Sequence, residues 1–249
     1  MPRLREDDTP ASKPFGGQTF VTTRWSLVGK AGAGGGPPRD AALEELCRAY
    51  WPPLYAFVRR KGFEPADAED FTQAFFARLL ESNYLAQVAP GKGRFRSFLM
   101  AALQHFIGDE LDKAHTQKRG GSHQHLHLDT TDAEAIYAKE LVCDDTPERA
   151  FDRRWARAVL GRAEARLRDE CAAAGKSDLF TALGPGADGG DSHEVIAARL
   201  GLTMSAVKSA AFRLRQRYRE LIRDEIAQTV SSPAELEAEL RDLMAALAN

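Results

Sequence analysis

The sequence predicts an all-α protein: two small helical domains joined by a flexible linker, the C-terminal one a helix-turn-helix. Three observations carry this. Apolar residues recur at i, i+3, i+4 spacing through residues 40–61, 65–82, 95–111 and 147–183. Residues 191–223 read as two helices about a single turn glycine. Between the two halves, residues 122–146 are polar and lack an apolar period. The organisation expected is a disordered extension over 1–20, a helical domain over 21–121 and a linker over 122–145. The helix-turn-helix domain then covers 146–230 and a C-terminal helical extension 231–249.

The segment DSHEVIAARLGLTMSAVKSAAFRLRQRYRELIR organises the rest. Asp191 or Ser192 can cap its first helix, with Glu194 placed for a capping box. Gly201 supplies the left-handed residue that ends this helix, and Thr203 or Ser205 can cap the next. Ile196, Leu200, Leu202, Val207 and Ala210 are spaced to close a small core, and Ala197 is small where the helices cross. In the second helix Val207, Ala211, Leu214, Tyr218 and Leu221 share the inner face.

The outer face of that helix is cationic. Lys208, Ser209, Phe212 and Arg213 lie in its first turns, where a helix entering a DNA major groove contacts base edges. Arg215 and Arg217 follow at phosphate distance, with Gln216 on the same outer face, and Arg219 and Arg223 lie too far along to reach bases. The bland alternative is a helical hairpin with a solvated arginine face. Glycine, caps, apolar register and charged face agree, which favours DNA.

Composition limits how such binding can arise. The chain has 249 residues, a formal net charge of -2 and a pI near 6.3, so nucleic-acid affinity must come from local basic faces. Cys47, Cys143 and Cys171 are widely spaced without a CxxC pair, which argues for a reducing compartment. The start lacks the apolar segment of a signal peptide, and no run is long enough to span a membrane, so a cytoplasmic protein is expected.

Along the chain, a short apolar segment over 20–28 is followed by a glycine-rich break over 31–38. The first helical stretch carries Leu43, Leu46, Tyr50, Leu54, Phe57 and Val58; Pro52 and Pro53 should kink it or split it, and Gly62 ends it. In PADAEDFTQAFFARLLES, Ala68, Phe71, Thr72, Phe75, Phe76 and Leu79 form a buried face. Asp67, Asp70, Gln73 and Ala77 are left outside, a face that is solvated or docks a basic helical partner.

GRFRSFLMAALQHFIGDELDKAHTQKRGG follows, with a stripe of Phe95, Phe98, Leu99, Ala102, Leu103, Phe106, Ile107 and Leu111. Arg94, Arg96, Lys113, Lys118 and Arg119 gather at its ends, a pattern that suits melted nucleic acid or simply a buried helix with solvated ends. His123, His125 and His127 alternate in the linker without an evident fourth ligand, and no metal site is expected. Beyond Pro147, Phe151, Trp155, Val159, Ala163 and Leu167 should face inward along a helix running to about residue 183. Leu236, Leu240, Leu243 and Leu247 mark a short, acidic, amphipathic C-terminal helix that should pack on something.

In this order the motifs resemble those of a bacterial RNA polymerase sigma factor of the sigma-70 family, in the extracytoplasmic-function group, from about residue 22 to 247. DAEDFTQAFFARLL resembles the helix of region two whose acid and amide face docks on the polymerase clamp. The resemblance therefore implies polymerase contacts at Asp67, Asp70, Gln73 and Ala77. GRFRSFLMAALQHFIGDELDK resembles the helices that recognise and open the minus-ten element, implying roles for Arg94, Arg96, His105, Lys113, Lys118 and Arg119. Residues 193–223 resemble the part of region four that reads the minus-thirty-five element, implying Lys208, Ser209, Phe212, Arg213, Arg215, Gln216 and Arg219. The sequence departs from the family where Phe98 replaces a common Trp, where His105 replaces a common Asn, and in the long loop GPGADGGDSH.

The resemblance implies core RNA polymerase (the clamp of the β' subunit and the flap of the β subunit) and promoter DNA as partners, an anti-sigma factor as a further partner class, and no cofactor. The residues contain no Ser/His/Asp, paired-carboxylate or phosphate-loop constellation, so no enzyme is expected. An operator-binding helix-turn-helix regulator that does not join polymerase is the alternative. A helical adaptor using its basic helix against acidic proteins is a third.

Overall fold

The computed structural model describes residues 37–81, 94–116, 134, 137, 138, 146–187, 191–228, 230 and 232–248, and the described residues are all-α, without strands. The N-terminal extension, the apolar segment over 20–28, most of the linker with its three histidines, and Cys143 lie outside them. Eight helices run through the described residues: α1 Pro37–Arg60, α2 Pro65–Glu81, α3 Phe95–Thr116, α4 Pro147–Ala173, α5 Ser177–Leu183, α6 His193–Leu200, α7 Met204–Ala227 and α8 Pro233–Ala248. No single one is long and apolar enough to cross a membrane.

The first three helices share an aromatic core. Trp51 stacks on Phe76 at 5.7 Å, Tyr50 meets Phe95 edge-on at 5.3 Å, and Phe75 meets Phe106 at 5.8 Å. Pro52 and Pro53 do not split α1, which runs unbroken through both. Tyr50, Trp51, Leu54, Tyr55 and Phe57 are all buried around the prolines, and their packing holds the helix across the missing backbone bonds. Helix α1 begins at Pro37, inside the stretch expected to be a break, because proline suits a first helical turn.

Helix α4 is the hub. It packs against α1, α5, α7 and α8, and its inward residues Phe151, Trp155, Val159, Ala163 and Leu167 are all buried, as its period predicts. Thr146 caps it by accepting a hydrogen bond from the Arg149 amide. The helix expected to continue to residue 183 instead stops at Ala173, where Gly175 turns left-handed (φ +66°), and α5 begins afresh. One apolar cluster joins residues of α1, α2 and α3 to Phe151, Trp155 and Val159 of α4, Ile226 of α7, and Leu236 and Leu243 of α8. Leu111 and Leu247, expected on buried stripes, are exposed at the ends of theirs.

Within the expected linker, Glu134 and Tyr137 lie against α1. Glu134 accepts hydrogen bonds from Arg59 at 3.0 and 3.1 Å and from the Tyr55 hydroxyl, while Tyr137 sits 5.0 Å from the Arg59 guanidinium. Cys47 and Cys171 are buried thiols, and burial, helped by Glu44, pushes Cys47 up to about 12. A thiol held that far from ionisation is a packing group.

Candidate nucleic-acid interface

The candidate site is built on α6 and α7, which meet at a bend of 105°. Local chemistry fixes the turn. Gly201 adopts φ +64°, ψ +30°, and the Leu202 amide reaches back to the Ala197 carbonyl at 2.9 Å, closing the end of α6. Ser192 caps α6 by accepting from the Val195 amide, and Thr203 caps α7 by accepting from the Ala206 amide at 3.2 Å. Glu194 does not complete a capping box. Its carboxylate accepts from the Ser192 hydroxyl at 3.1 Å, since it stands two residues after the cap rather than three. Asp191 is no cap either and pairs with Arg199 at 2.6 Å.

Ile196, Ala197 and Val207 form the small core beneath the turn, joined by Leu200, Met204, Ala182 and Leu183. Leu202 lies outside it, 38% exposed. The left-handed turn at Gly201 carries Leu202 outward, and Met204 packs on the core in its place. The contribution of α5 through Ala182 and Leu183 had no periodic signal, because the helix is only 7 residues long.

The far half of α7 is anchored on α4. Leu221 is buried against Ala163, Leu167 and Cys171, and the Tyr218 hydroxyl donates to the Leu160 carbonyl at 3.2 Å. With the inner face fixed, Lys208, Ser209, Phe212, Arg213, Arg215, Gln216 and Arg219 are all exposed. Phe212 is 62% exposed among these polar and charged side chains.

The cations of α7 divide into two groups. Lys208, Arg213 and Arg215 make no ion pair among the described residues. From Arg217 onward the guanidinium groups turn to the protein. Arg217 donates to both oxygens of Glu170 on α4, each at 2.8 Å, and to Glu220 at 2.9 Å. Arg219 donates to Gln216 at 3.0 Å, and Arg223 pairs with Glu237 of α8 at 2.6 Å. Arg217, expected at phosphate distance, is therefore a strut between α7 and α4.

The expected minus-ten residues do not form one exposed face. Arg96 is buried: it pairs with Glu239 at 2.8 and 3.1 Å, with Asp242 at 2.8 Å and with Asp152, and lies 4.4 Å over the Trp155 ring. Burial works against its charge, and the carboxylates of Glu239 and Asp152 outweigh burial, so Arg96 stays ionised. Arg94 pairs with Asp242 and approaches Glu239 at 3.6 Å. Asp152 stands 56 positions from Arg96, and Glu239 and Asp242 stand 143 to 148 positions from these arginines, beyond any periodic signal. His105 is exposed at a cleft of about 270 Å³ between α2 and α3, beside Phe98 and the ion pair of Arg78 with Asp109 at 3.3 Å. Lys113 pairs with Glu110 at 2.7 Å, whereas Lys118 and Arg119 lie outside the described residues.

On α2, Asp67 and Asp70 are exposed, and Gln73 and Ala77 are half-buried. The opposite face carries Ala68, Thr72, Phe75, Phe76 and Leu79, all buried, whereas Phe71, expected with them, is only partly buried, so the division is less sharp than the period predicts. Comparison with family models, with curated proteins and with solved structures finds no match to this chain.

Proposed function

We propose that this chain is a sigma factor of the sigma-70 type, which joins core RNA polymerase and directs promoter recognition and opening. In this reading α6 and α7 are a helix-turn-helix, and α7 enters the major groove of the minus-thirty-five element. The observation that carries it is the first half of α7: Lys208, Arg213 and Arg215 are exposed and make no ion pair among the described residues, beside Ser209, Phe212 and Gln216. The 105° bend to α6 lies within the range of about 90–120° for helix-turn-helix units. Asp67, Asp70, Gln73 and Ala77 serve as the contact for the polymerase clamp, and the module over 146–230 reaches the flap while it reads DNA.

The test is transcription from promoter templates by purified core polymerase with and without the chain. Chain-dependent initiation at a defined start supports the reading, and no initiation on any template of a genomic library overturns it. One observation favours the operator-binding alternative: Arg94 and Arg96, the expected opening residues, are engaged inside the protein. Co-purification with core polymerase separates the two, since an operator binder has no use for it.

A further inference from the structure

We propose that α8 is an internal competitor that occupies a single-stranded DNA site on α3 and is displaced when DNA binds there. The inference rests on the proposed promoter function and adds a regulation to its melted-strand site. It begins with the junction of α3, α4 and α8. Two guanidinium groups, Arg94 and Arg96, face three carboxylates there, and two of the three, Glu239 and Asp242, belong to α8. With α8 docked the cluster has an excess of one negative charge. With α8 away, two arginines remain against Asp152 alone, and the sign reverses. A surface that repels phosphate becomes one that attracts it.

The rest of α3 is suited to the same ligand. Arg94, Phe98 and His105 follow at intervals of four and seven residues and share one helical face. Phe98 and His105 line the cleft against α2, where Arg78 lies 5.6 Å over the Phe106 ring. Cations alternating with flat rings along a groove are what a single strand requires, phosphates on one and bases stacked on the other. Among the described residues, helix α8 therefore engages the arginines at one end of this track, and the His105 end is exposed.

Helix α8 can act as a lever because it is held from both sides. Glu237 pairs with Arg223 at the end of α7, while Glu239 and Asp242 hold α3. It carries four carboxylates against one arginine, so its departure takes the chain from a net charge of -2 to +1 for the remainder. Its apolar side seats on α4 and α7: Leu236 and Leu243 are buried with Leu240 and Ala246 packed beside them, whereas Met244 is 66% and Leu247 39% exposed. Its hold on α3, by contrast, is through the ion pairs of Glu239 and Asp242, the kind of contact that a polyanion displaces.

The experiment measures binding of a fluorescent single strand of about 16 nucleotides to the full chain, with amide exchange over residues 233–248 as the report on α8. Two variants release α8 differently: Glu239→Gln with Asp242→Asn removes the two charges that pair with α3, and Leu236→Ala with Leu243→Ala weakens its apolar seat. The expected result is faster exchange in α8 together with roughly tenfold tighter binding and a steeper dependence on salt. Arg94→Ala in the charge variant should return binding toward that of the parent. Freed α8 without tighter binding overturns the proposal, as does an α8 that exchanges at the parent rate in both variants. Duplex discrimination by α7, measured in parallel, is untouched by that failure. Conversely, tighter single-strand binding with no duplex discrimination would sink the promoter-reading function and leave the competitor standing.

Discussion

Arg217 on α7 and Glu170 on α4 form a two-bonded ion pair, both N–O distances 2.8 Å, between residues 47 positions apart. It marks the point at which α7 changes role. Before it Lys208, Arg213 and Arg215 face outward with no ion pair among the described residues. From it onward Arg217 and Arg223 bind other helices, while Arg219 stays exposed and bonds to Gln216 of its own helix. The pair is 40% and 41% exposed, so its worth is limited to about 0.5–1 kcal/mol. Arg217→Ala should lower stability by that amount in urea titrations and leave DNA affinity and its salt slope unchanged. A smaller salt slope would instead make Arg217 a phosphate contact.

The same pair sets a pH dependence. The hydrogen bonds from Arg217 hold the Glu170 carboxyl below its ordinary range, with burial opposing. A depressed folded value means the contribution is complete above the unfolded value and lost as pH falls through the folded one. Wild type should therefore lose its advantage over Glu170→Gln between about pH 5 and pH 3. Urea midpoints measured across that window check it; parallel curves would mean the pair contributes nothing.

Trp155 lies where the halves of the molecule meet, 2% exposed in the cluster that contains residues of α1, α2, α3, α4, α7 and α8. Trp155→Ala should cost about 3–5 kcal/mol. Because the cluster is continuous, unfolding of the parent followed by near-ultraviolet and far-ultraviolet dichroism should give one coincident transition. Two separated transitions would show that the halves fold independently.

The face of α2 gives a prediction about polymerase binding. Asp70 is exposed and Gln73 half-buried, opposite the buried Thr72, Phe75 and Phe76. Asp70→Ala with Gln73→Ala should weaken association with core polymerase about tenfold or more while circular dichroism stays unchanged. Unchanged association would remove this face from the proposed function.

How much of this was legible depends on the range of the interaction. Local rules located the α6–α7 turn, the Thr203 cap, the ends at Gly62 and Gly201, and the buried faces of α2 and α4. They failed where one residue of offset mattered, as with Glu194, or where a neighbour took a place, as Met204 did from Leu202. They were blind to partners across the chain. An arginine at a helix end reads the same whether it faces solvent, phosphate or Glu239, so Arg96 and Arg217 looked like Lys208 and Arg213. The acidic character of α8 was visible, but nothing in its sequence names α3 as what it covers.

If the first half of α7 reads DNA sequence, selection from a randomised duplex library of minus-thirty-five positions will register the loss of single side chains there. Holoenzyme assembled with wild-type chain, Lys208→Ala, Arg213→Ala or Arg219→Ala would be used. Lys208→Ala or Arg213→Ala should lose discrimination at one or two base pairs, by about 1–3 kcal/mol where the lost contact is bidentate. Arg219→Ala should weaken all sequences alike. Identical sequence profiles for wild type, Lys208→Ala and Arg213→Ala would contradict the account.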